Sequence, residues 1–367
     1  MSASLEIQLI AVTAAAACAL VGVFLVLRSM AMMADAISHT VLLGIVLIFF
    51  VVQDLQSPWL LIGAAAMGLI TVSLVEALNR TKLVKQDAAI GLVFPALFSL
   101  AVILISRYAR GVHLDTDMVI MGELALTPFD RVTIFGLDLP HALVTLGAIL
   151  LINVIFIVLF YKELKLSTFD PALAAALGFS PALLHYGLMA LVSMTAVGAF
   201  DAVGAILVVA LIVTPAAAAY LLTDDLRKML LISVAIGAGS ALAGYWLARL
   251  LDANIAGSMA TMTGVVFLFV FALAPQRGLL ATTRRRTRQR WEFAQTMLAI
   301  HLLHHEGTPD ASAESRTDHL LEHLRWQPAF AERVIRYAER SGAVCEERGL
   351  LQLTERGRRL AETAMVR

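Results

Sequence analysis

Apolar residues in this chain come in long unbroken blocks. They do not show the alternation of a half-buried strand or the one-sided stripe of a surface helix. Blocks long enough to cross a bilayer, roughly 20 residues each, lie near 7–27, 36–52, 58–78, 88–106, 141–161, 182–199, 203–222, 229–248 and 256–274. The pattern predicts an all-α polytopic membrane protein of about eight or nine transmembrane helices. The count depends on whether 182–199 and 203–222 are two spans or one broken element. Glu6 rather than a basic run precedes the first block, and no small-residue cleavage site comes before the second. The first block therefore reads as a retained helix and not a removed leader.

The charges between blocks alternate in kind. Arg28 is followed by Asp54, then Arg80, Lys82 and Lys85, then an acidic loop, then Lys162 and Lys165, then Asp201, then Arg227 and Lys228, then Arg249 with Asp252, and finally Arg284–Arg290. Because basic loops stay in the cytoplasm, this order predicts an external amino terminus and a cytoplasmic carboxyl terminus. Composition agrees with a bilayer-embedded chain: of 367 residues 59% are hydrophobic and only 15% charged, with a mean hydropathy of +0.82. The formal net charge of zero hides a soluble, arginine-rich end. Two domains follow, a transmembrane one over 1–280 and a cytoplasmic one over 281–367. Cys18 and Cys345 have no spacing that suggests a disulfide or a metal knuckle.

Within the lipid-grade sequence, Arg28–Gly44 places Asp35 and His39 four residues apart, on one helix face. An ionisable pair in a span costs several kcal/mol unless it meets protein, water or an ion, so it is a functional candidate. A carboxylate with an imidazole suits Mn²⁺, Fe²⁺ or Zn²⁺. The plainer reading makes Asp35 a helix cap and His39 a satisfied core histidine. Counted from a turn at Arg28, His39 lies about 15 Å into the bilayer. In the external loop 107–140, His113, Asp115, Asp117 and Glu123 are candidates to receive a cation at the outer mouth, against the alternative of an ordinary solvated acidic loop.

The connection 162–181 carries an N-cap signal at Asp170, Pro171 at the first helical position, an alanine-rich turn and a C-cap signal at Gly178. It predicts a short helix on the inner face, where an ATPase would push. Pro215 interrupts a span and reads as a packing kink, with small residues after it. Beyond Thr287 the pattern changes to amphipathic helices near 289–305, 314–325 and 328–341, strands near 343–346 and 350–354 about a turn at 348–349, and a helix from 355. That order predicts a small winged-helix α+β tail. Fifteen arginines against 12 carboxylates from 281 onward make a weak electrostatic footprint and argue against a nucleic-acid partner. His301/His305 and His319/His323 are i, i+4 pairs, open to a metal or to a plain surface role.

Taken together these motifs resemble the permease subunit of the manganese, zinc and iron ATP-binding-cassette importers over about residues 7–277. The carriers are Met33–His39 with Gly44, Lys85–Gly91, His113–Asp117 with Gly122–Glu123, Phe169–Gly178, and Phe200–Gly204 running to Pro215. The resemblance implies that Asp35 and His39 belong to the metal path, with Asp201 a further polar candidate. It implies that Phe169, Asp170, Pro171, Ala174 and Gly178 belong to the coupling helix seated in the ATPase. The implied partners are an ATPase subunit, an extracytoplasmic metal-binding protein, a second permease subunit and membrane lipid; the implied setting is the bacterial inner membrane. The metal is cargo, Mn²⁺ ahead of Fe²⁺ or Zn²⁺, with no permanently bound cofactor. The tail resembles that of some manganese- or iron-type members and departs from the shorter zinc-type permeases, which leans the expected cargo toward Mn²⁺ or Fe²⁺; it also resembles the metal-dependent repressor fold. No Gly-x-x-x-x-Gly-Lys-Ser/Thr loop is present, so hydrolysis would come from another subunit and this chain would not be an enzyme. The competing readings are a membrane-tethered, metal-responsive DNA-binding regulator, for which nine spans are far more than tethering needs, and a transporter driven by an ion gradient.

Overall fold

The computed structural model describes residues 2–53, 57, 59–108, 124–134, 136–309, 315–316, 324, 326–347 and 349–365. They fall into two compact units, Met1–Gly278 and Leu279–Arg367.

In the first unit the helices are α1 (Ala3–Leu27), α2 (Met32–Val52), α3 (Trp59–Arg80) and α4 (Gln86–Tyr108). A hairpin of β1 (Arg131–Ile134) and β2 (Leu137–Pro140) follows. Then come α5 (His141–Leu159), α6 (Tyr161–Phe169), α7 (Pro171–Ala176), α8 (Pro181–Val203), α9 (Ala205–Leu222), α10 (Leu226–Leu251) and α11 (Ile255–Leu273). Nine of these helices are long and apolar enough to span among the described residues. The break near 200–204 is real: Gly204 takes φ 78° and ψ 162° between α8 and α9, a region open essentially to glycine alone.

Lipid tails are as apolar as leucine, so burial alone does not hold such helices together; close contact of small residues does. α1 is the most buried span and packs against α5, α8, α9 and α10. Its Gly22 touches the α9 backbone so closely that a Cβ there would lie 1.8 Å from the Ile212 carbonyl oxygen. α2 and α3 approach in the same way at Gly44 and Gly63.

Two features differ from the sequence expectation. The loop 107–140 contains an antiparallel hairpin, Arg131 opposite Pro140 and Val132 opposite Leu139. Arg131 straps it to α1, with Nη1 3.2 Å from Glu6 Oε2 and Nε 2.7 Å from Asp138 Oδ2. These carboxylates raise the Arg131 pKa, Glu6 first. The second difference is that Phe169, counted with the short helix by the family resemblance, lies outside it, while the helix itself starts at Pro171 after the Asp170 cap as its sequence signals predict. Asp170, ahead of Pro171, is extended at φ −145° and ψ 85°, because proline disfavours a helical residue before it. Phe169 therefore closes the preceding helix α6.

The second unit contains α12 (Leu279–His305), α13 (Pro328–Arg340), a hairpin of β3 (Val344–Glu347) and β4 (Leu350–Leu353), and α14 (Glu355–Met365). The arginine run lies inside α12, since arginine favours helix and no glycine or proline interrupts 279–305. Leu298, Leu302, Val334, Ala338, Val344 and Leu351 form a core of its own, with Trp291 stacked on Phe330 at 5.4 Å. Most of the expected helix 314–325 lies outside the described residues.

Candidate functional site

α2 buries Met33, Ala34, Ala36, Ile37, Thr40, Val41 and Gly44, and presents Asp35 and His39 on the opposite stripe. His39 Nε2 stands 3.5 Å from Asp35 Oδ1, with the two side chains 43% and 34% exposed in the single chain. For an ionisable pair in a spanning helix this is an open face, which lipid would not tolerate. Phe94 of α4 stacks on the His39 ring at 5.6 Å and Phe98 meets it edge-on at 5.8 Å. Pro95 between them removes a helical N–H. On the buried side Thr71 donates to Thr40 at 2.8 Å and locks α2 to α3. α2 begins at Met32, so His39 lies about 10 Å along the helix.

Asp201 is exposed near the end of α8. Among the described residues no three His, Cys, Asp or Glu side chains converge on one ion-sized point, so Asp201 does not join Asp35 and His39 within one chain. His113, Asp115, Asp117 and Glu123 lie outside the described residues, as do His319 and His323. In the second unit the rings of His301 and His305 are 4.8 Å apart.

At the other candidate, Asp170 Oδ1 accepts from the Leu173 N–H at 2.9 Å and caps α7. Gly178, at φ 86°, ends the turn, and Phe179 N–H reaches the Ala174 carbonyl at 3.1 Å. Ala174 is buried, whereas Phe169, Leu173, Leu177 and Phe179 are exposed.

A cluster that the sequence reading did not single out joins this segment to α2. Arg28, the C-cap of α1, donates to Ser167 Oγ at 3.1 Å and to Thr168 Oγ1 at 3.2 Å. Its Nη1 lies 3.2 Å from His185 Nδ1, and His185 Nε2 is 3.8 Å from Glu76 Oε2. Burial lowers the Arg28 pKa. A guanidinium can only donate, so His185 Nδ1 must accept, and its Nε2 carries the proton toward Glu76. The neighbouring cavity, about 190 Å³, is lined by Met30, Met33, Glu76, Asn79, Gln86 and His185. The missed signal was available: Glu76 and His185 are themselves ionisable residues near span ends.

Residues 4–274 match the model of the ABC 3 transport family. The chain is 48% identical over 362 residues to the zinc transport system membrane protein TroD of Treponema pallidum, covering 99% of each. It is 51% identical over 271 residues to the manganese transport system membrane protein MntD of Bacillus subtilis, covering 74% of this chain and 91% of that one. Its fold matches the solved structure of PsaBC from Streptococcus pneumoniae in complex with Fab, at TM-score 0.64 and 28% identity, covering 77% of this chain and 96% of that one. The chain, a multi-pass membrane protein with paired polar groups inside its spans, belongs to the ABC 3 transport family.

Proposed function

We propose that this chain is the permease subunit of an ATP-binding-cassette importer for a divalent transition metal, Mn²⁺, Fe²⁺ or Zn²⁺. The observation that carries the reading is the Asp35–His39 pair, open on one face of an otherwise apolar helix. Ligands at about 2.1 Å from one ion stand about 3.0 Å apart at a right angle and about 3.4 Å apart at the tetrahedral angle, so the pair at 3.5 Å already has the spacing that one metal asks of two ligands. Two ligands do not complete a site. A second permease subunit laying its own pair against this face would both supply the missing donors and remove the exposure. Relatives named for zinc, manganese and chelated iron transport support the cargo class. The tail does not choose among them: TroD, matched over 99% of this chain, is named for zinc, contrary to the manganese or iron lean expected from the tail.

The exposed Phe169, Leu173, Leu177 and Phe179 form an apolar patch of the kind that marks a protein contact. We read 169–178 as the seat of the separate ATPase, with the basic ends of the spans and the tail 281–367, a winged-helix-like domain, in the cytoplasm. An extracytoplasmic metal-binding protein would deliver the ion at the opposite end, to which we assign His113, Asp115, Asp117 and Glu123; Asp201 is proposed as a polar group along the path.

The test is to copurify the chain with its ATPase, reconstitute the complex in vesicles and measure ATP-dependent uptake of each metal with bound-metal analysis. Uptake that needs ATP, and a bound ion lost in Asp35→Ala, are expected. Uptake driven by an ion gradient with no ATPase would overturn the proposal.

A further inference from the structure

We propose that Arg28 is a positioning residue that carries motion of the 169–178 segment to the helix bearing Asp35 and His39. The inference rests on the reading of that segment as the ATPase contact, and goes beyond it by naming the route.

The route is short on both sides of the guanidinium. On one side its partners, Ser167 and Thr168, are the last two residues before Phe169. On the other side Arg28 closes α1 and is three residues from the first turn of α2. The intervening corner is tight: Ser29 takes φ 58°, Met30 N–H reaches the Leu25 carbonyl at 2.8 Å, and Met33 N–H reaches the Met30 carbonyl at 2.9 Å. Such a corner has little slack, so a pull on Arg28 displaces the start of α2. Asp35 follows within one helical turn.

The guanidinium holds three groups at once. Its planar fork reaches two hydroxyls on α6 and the imidazole of α8, a geometry that lysine's single ammonium does not reproduce. The imidazole is in turn oriented, with Nδ1 accepting from Arg28 and Nε2–H directed at the Glu76 carboxylate. Glu76 Oε1 is held by Arg80 at 2.6 Å, which leaves Oε2, without a hydrogen-bond partner of its own, as the face turned to His185. Arg28 thus ties α1, α2, α6 and α8 at the end of the bundle where α7 begins, and α3 enters through Glu76. Among the described residues no carboxylate sits directly on the guanidinium, so its bonds to neutral acceptors can exchange without separating an ion pair.

The experiment uses the reconstituted permease–ATPase complex and reads three quantities: metal retained on the complex, ATPase copurified, and metal ions transported per ATP hydrolysed. Arg28→Met is expected to keep metal and ATPase while the transport ratio falls about tenfold, within the range for mutations along a coupling network. Arg28→Lys is expected to restore only part of the ratio. The paired change Ser167→Ala/Thr168→Val leaves arginine in place and removes its partners on α6. It is expected to lower the ratio as Arg28→Met does, and to add nothing when combined with it. Should Arg28→Met fail to assemble, the hydroxyl variant decides. A wild-type transport ratio in the hydroxyl variant, or additive losses in the combination, would overturn the inference while leaving the importer reading intact. Absence of the ATPase from the wild-type complex would overturn the reading itself and this inference with it.

Discussion

Two polar clusters lie within the membrane unit, and they are built in opposite ways. Around Arg28 each guanidinium nitrogen has an acceptor, in two hydroxyls and an imidazole, and the unsatisfied atom, Glu76 Oε2, lies at the edge of the cluster beyond His185. Around His39, among the described residues, the pair has only itself, at 3.5 Å, with two phenylalanines as neighbours. A satisfied network inside a protein rigidifies the elements it joins, whereas an incompletely satisfied one is unstable unless something arrives to complete it. The first cluster is therefore a joint and the second a receptor. Both are reached from the same short turn, Arg28–Ala31, and that adjacency makes the pair of clusters more informative than either alone.

The largest effect should come from the open cluster. Asp35→Ala or His39→Ala should lower metal uptake by about a hundredfold or more, since even groups that only support a ligand are worth ten- to hundredfold. Insertion and assembly should persist, because each change makes the span more apolar. Quantitative uptake at matched expression checks this, and wild-type uptake in both variants would remove the pair from the path.

Next is the segment that the closed cluster grips. Ala175→Pro places a proline inside α7, costing about 3 kcal/mol or more in a helix interior. The expected result is ATP hydrolysis without transport, with the metal still bound. Full-rate transport would show that 169–178 is not where force enters.

How much of this was legible in the sequence differs between the clusters. Asp35 and His39 stood out because charged and imidazole groups are rare in the centre of an apolar block, and spacing by four put them on one face. The spans were legible for the same reason, as was the Asp170–Pro171 start of α7, whose cap chemistry is local. Arg28, His185 and Glu76 were not legible as a cluster. They come from parts of the chain far apart in sequence, each near a span end where polar residues are ordinary, and only tertiary packing brings them together. The hairpin at 131–140 was hidden likewise, since its strap is the long-range pair Arg131–Glu6. The helix over 289–305 was legible, but its start at Leu279 was not, because the arginine run was weighed as charge and not as helix propensity.

A third change sharpens the comparison along α8, which starts at the closed cluster and ends at the Gly204 break. Gly204→Ala forces a Cβ into φ 78°, a strain of about 1–3 kcal/mol. We expect a lower melting temperature of the purified protein and slower transport with unchanged metal affinity. Asp201→Asn, three residues earlier and exposed, should leave stability alone and change uptake only a few-fold if that carboxylate lines the path. Equal effects of the two changes on melting would mean that the break is not specifically glycine's.

The smallest effect concerns the second unit. Both clusters lie within residues 4–274, the part that matches the family model. The tail unit, Leu279–Arg367, has a separate hydrophobic core around Leu298, Val334 and Leu351. Cutting the chain after Gly278 therefore removes neither the receptor nor the joint. We expect the shortened protein to insert and to retain at least part of its uptake, with an altered response to metal inside the vesicle. The measurement is uptake against internal Mn²⁺, Fe²⁺ or Zn²⁺ in both proteins, alongside DNA binding by the intact chain at physiological salt. Identical uptake curves together with tight, sequence-specific DNA binding would favour a tethered regulator over a sensor of transport. Complete loss of uptake on truncation would make the tail part of the transport machinery.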